Sequence, residues 1–126
     1  MFTGIIEQTG SIYKIDIVEG NTTEAFEKLS MAMLSNPKEA KYPYEYGVYN
    51  FQKGLYDEAI VNFTKAIEAD KDYAYAYNDR GSAKMQKGDV ESAIEDYRYA
   101  TMLNKDLAFA YNNLGTALRK SKRYEE

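Results

Sequence analysis

An all-α solenoid of antiparallel helix pairs is the fold this chain predicts, and the first reason is a period of 34 residues. Gly47, Gly54, Tyr56, Ala59, Phe63 and Ala66 return as Gly81, Gly88, Val90, Ala93, Tyr97 and Ala100. Gly54 and Gly88 suit a tight turn between two helices, and the alanines place small side chains where neighbouring helices must approach closely. The second reason is a set of helix-start signals: Asn21 and Glu24 have the spacing of a capping box, and Pro43 suits a first helical turn, where its missing N–H is no loss.

Composition sets the outer limits. The 126 residues amount to one domain, 44% of them hydrophobic, and no apolar run is long enough to cross a membrane. The start lacks the basic and apolar regions of a secretory signal, which makes the cytoplasm the expected compartment. There is no cysteine, so disulfide and thiol chemistry are excluded. There is no histidine either, which removes the commonest general acid/base and metal ligand together. A net charge of −4 argues against nucleic acid and against an anionic membrane surface.

Residues 1–20 stand outside the period. Gly4, Gly10 and a wealth of β-branched residues make this leader β-prone, either two short strands about a Gln8–Gly10 turn or an irregular segment. A helix is expected over 21–35, with Ala25, Leu29, Ala32 and Met33 on one face; it aligns with the second helix of a repeat. The matching first helix would cover about residues 6–19, but Tyr13 stands where Gly47 does in the next unit, so the first repeat is half missing or degenerate. Complete repeats follow over 40–73 and 74–107, and a partial one over 108–126. Within them, helices are expected from about Ala40 to Lys53, Tyr56 to Ala69, Asp72 (as N-cap) to Gln86, Val90 to Leu103, and Leu107 to Lys120 behind an Asp106 cap.

From residue 20 onward these units resemble the tetratricopeptide repeat (TPR) family. Counting from Ala40, Ala74 and Ala108, the aromatic of position 4 is Tyr77 or Tyr111, the large group of position 7 is Tyr46 or Leu114, and the small residue of position 8 is Gly47, Gly81 or Gly115. Departures are Pro43 at position 4, Arg80 at 7, Asn50 and Lys84 at 11, and Lys71 and Lys105 where proline is frequent; they are expected to soften local packing. Residues 1–15 separately resemble the start of riboflavin synthase, whose chains open with a similar Met-Phe-Thr-Gly-Ile stretch on a barrel strand. One hairpin cannot close a barrel, so no activity is carried over.

The resemblance to the TPR family implies a protein-interaction scaffold whose groove is formed by successive first helices. By register, the residues facing that groove are Lys41, Tyr44, Val48 and Phe51, then Tyr75, Asn78, Ser82 and Met85, then Phe109, Asn112, Thr116 and Arg119. Tyrosine rings and side-chain amides suit a bound peptide, the rings by area and the amides by bonding its backbone; the competing reading is ordinary solenoid packing. Family members that bind chaperone tails hold a terminal carboxylate with Lys, Asn and Arg at five positions. Here those positions are Tyr44, Val48, Asp79, Phe109 and Asn113, and none matches.

Neither a catalytic residue nor a metal ligand nor a cofactor is assigned. The neighbours Asp57/Glu58 and Glu95/Asp96 point apart on a helix and read as solvated surface, and the basic cluster Arg119, Lys120, Lys122 and Arg123 reads as cations at a helix C-terminus. A partial last repeat presenting Tyr111, Leu114 and Leu118 adds an alternative expectation, self-association through the C-terminal end.

Overall fold

A computed structural model describes residues 22–35 and 38–121. Six helices lie among them: α1 (Thr22–Ser35), α2 (Lys41–Gln52), α3 (Tyr56–Ala69), α4 (Ala74–Gln86), α5 (Val90–Leu103) and α6 (Ala108–Ser121). No strand occurs among the described residues. The expected leader hairpin and the Asn21 capping box lie outside them. Helices α2 and α3 form one antiparallel pair and α4 and α5 the next; α1 packs on α2, and α6 on α5. The first helices α2, α4 and α6 touch in succession, giving the solenoid one continuous side.

Each pair closes by the same turn. Gly54 and Gly88 adopt φ of +76° and +87°, a region open to glycine and strained for other residues. The Leu55 N–H reaches the Asn50 carbonyl at 2.9 Å and the Gly54 N–H the Phe51 carbonyl at 3.0 Å; Asp89 to Lys84 and Gly88 to Met85 repeat both distances. These are the two bonds of a Schellman ending, which satisfies carbonyls the finished helix leaves unpaired.

Between pairs the connection differs from the expectation. Asp72 does not cap α4; the residue preceding that helix is Tyr73, which makes no side-chain cap bond. The Asp72 N–H instead donates to the Asp70 carboxylate at 3.0 Å, and the Asp106 N–H to the Asn104 side chain at 3.0 Å. These matching Asx turns redirect the chain where many repeats use proline.

The core is built on ring-to-glycine contacts. A Cβ on Gly47 would lie 2.6 Å from the Phe63 ring, and one on Gly81 would lie 2.9 Å from the Tyr97 ring. The absence of a side chain therefore lets α2 meet α3 and α4 meet α5 at ring distance. Phe63 is fully buried, and burying it contributes about 2–3 kcal/mol.

Three polar departures from the repeat pattern, Arg80, Lys84 and Asn50, meet polar partners on the facing helix. Arg80 grips Asp96 with Nε and Nη2, both at 2.8 Å, and Lys84 Nζ lies 2.9 Å from the same carboxylate. Arg80 also donates to the Thr64 hydroxyl at 3.1 Å, which ties α3 to α4. One repeat earlier the Asn62 amide donates to the Asn50 side chain at 2.8 Å. Asn50 and Lys84 are equivalent positions, and so are Asn62 and Asp96. Arg80, Lys84 and Asn50, expected to soften the packing, thus each meet a polar group from the facing helix.

Candidate functional site

The twelve residues expected to line the groove fall on α2, α4 and α6, but at different depths. Tyr44, Val48 and Asn78 are buried, Asn78 completely. Phe51, Tyr75, Ser82, Met85 and Phe109 are half-buried, and Lys41, Asn112, Thr116 and Arg119 are exposed. Tyr75 and Phe109 occupy the same position of adjacent repeats and stack at 5.8 Å with 16° between their planes. Phe51 meets Tyr56 edge-on at 5.3 Å, and Ser82 shares a 3.0 Å hydrogen bond with the Tyr97 hydroxyl. Met85 packs with Leu114 and Leu118 against the Ala93, Ile94 and Tyr97 cluster. On α6 the Thr116 hydroxyl donates to the Asn112 carbonyl at 3.1 Å, and Arg119 donates to Thr116 at 3.1 Å.

Beneath these side chains runs a polar chain that register alone does not reveal. The Tyr44 hydroxyl donates to Asp79 Oδ2 at 2.6 Å, Asn78 Nδ2 donates to Asp79 Oδ1 at 2.9 Å, and Asn113 Nδ2 donates to Asn78 Oδ1 at 3.0 Å. It therefore links α2, α4 and α6 in one line. Asp79 is fully buried, and loss of water raises its pKa to about 8 against the opposing effect of the Tyr44 and Asn78 hydrogen bonds. Burial, with the charges of Glu45, Asp79, Asp70 and Glu39, pushes the Tyr73 phenol up, and Tyr73 packs against Tyr44 at 4.9 Å. Tyr97 is raised to about 12, first by burial and then by Asp79 and Asp96, with the Ser82 bond opposing.

The first helices carry two carboxylates, Glu45 and Asp79, and both are buried. Their exposed charges are cationic: Lys41 at one end, Arg119 and Lys120 at the other. Exposed acids lie instead on the second helices, as with Asp57, Glu58, Glu91 and Glu95. Two of the expected carboxylate neighbours are engaged elsewhere, Asp57 by Lys87 across the repeat and Asp96 by Arg80 and Lys84.

The TPR repeat family model matches residues 50–88 and 81–122. The chain belongs to the tetratricopeptide repeat family. Solved TPR structures share its architecture. The first TPR domain of human RPAP3 superposes with a TM-score of 0.82 at 21% identity, over 96% of this chain and 92% of that one. The first TPR of Spaghetti (RPAP3), bound to an HSP90 peptide, gives 0.81 at 21% identity, over 87% of each chain. MamA gives 0.79 at 23% identity, over 91% of this chain and 67% of that one. No curated protein matches significantly. At these identities the structural likeness concerns the fold. The riboflavin synthase resemblance falls on residues 1–15, outside the described region.

Proposed function

We propose that this TPR chain is a protein-interaction module that holds an extended segment of a partner along the side formed by α2, α4 and α6. The observation that carries this reading is the Tyr75–Phe109 stack, which bridges two first helices and leaves both rings half exposed beside Asn112, Thr116 and Arg119. Rigid rings offer contact area at small entropic cost, and amides can bond a peptide backbone. The structure of a related TPR with an HSP90 peptide supports peptide binding as a use of the fold. That peptide's chemistry is not transferred: the five tail-clamp positions here are Tyr44, Val48, Asp79, Phe109 and Asn113, which offer no cation to a terminal carboxylate. The reading involves no catalysis, no cofactor and no nucleic acid, and places the chain in the cytoplasm. Among the described residues no helix is long and apolar enough to cross a membrane.

Tyr44, Val48 and Asn78 serve this proposal as the floor that positions the contact residues. The test therefore uses residues that remain half-buried or exposed. Peptides selected from a displayed library on the wild-type chain should lose about tenfold or more in affinity for Tyr75→Ala, Phe109→Ala and Asn112→Ala, with helical circular dichroism unchanged. They should keep their affinity for Val61→Ala on the second-helix side. Equal binding by all four variants would place the contact elsewhere.

A further inference from the structure

We draw no further inference here: the strongest candidate, the buried hydrogen-bonded line that runs from Tyr44 through Asp79 and Asn78 to Asn113 beneath α2, α4 and α6, belongs to the site already described.

Discussion

Asp79 shows how one buried carboxyl makes a helical solenoid sensitive to pH. Its ordinary value is 3.8 and its folded value about 8, so between these limits the folded chain keeps a proton that the unfolded chain releases. Stability from this group is fully present below pH 3.8, falls as pH rises through the interval, and levels off above 8. The melting temperature of Asp79→Asn, which keeps the neutral shape at every pH, should therefore lack the decline that the wild type shows between neutral pH and about 8. Parallel melting curves for the two chains over that range would contradict the assignment. The glycines make an equally local prediction. Gly81→Ala forces a methyl to within 2.9 Å of Tyr97 and 3.3 Å of the Ala93 carbonyl, and should cost about 1–3 kcal/mol in denaturant unfolding.

At the scale of elements, the helix pairs are held by turns and by matched polar groups. A Cβ added at Gly54 or Gly88 would meet only open space, so substitution there tests backbone strain alone. Gly88→Ala should destabilise by about 1–2 kcal/mol and shorten no contact, which a denaturant midpoint shift at constant m-value would register. Asp96→Ala is expected to be harsher, about 3–5 kcal/mol, because it strands the largely buried Arg80 without its carboxylate. Lys84→Ala leaves the Arg80 bond in place and should cost far less, a difference that the same titrations would measure. The sequence marks Arg80, Lys84 and Asn50 as departures from the repeat but not as partners of Asp96 and Asn62. The pairing crosses from one helix to the next, and only packing brings the two faces together. The Asx turns escape the sequence for a related reason: Asp72 and Asp106 carry the composition of a cap, while the bonds are made by Asp70 and Asn104 two residues earlier.

For the molecule as a whole, the repeated Gly54 and Gly88 turns and the glycine-ring contacts make the architecture legible in the sequence, since they recur at a fixed interval and tolerate few substitutes. The groove is legible only in direction. Register says that Tyr44, Val48 and Asn78 point toward the first-helix side; it does not say how tightly α2, α4 and α6 pack there. That packing decides which side chains a partner could touch, and it buries Tyr44 and Asn78 as members of a hydrogen-bonded line ending at Asn113.

The matched pairs between facing helices also bear on how near-identical repeats avoid confusion while folding. Were α2 to dock against α5 instead of α3, Asn50 would confront Asp96, which would then lack both its cations; α4 against α3 would set Lys84 beside the neutral Asn62. The first wrong pairing leaves the buried Asp96 carboxylate without a cation, at a cost of several kcal/mol, and the second leaves the half-buried Lys84 without its carboxylate. Asn50–Asn62 and Lys84–Asp96 thus act as a lock-and-key code that distinguishes one hairpin from its copy, where the shared glycines and rings would accept either.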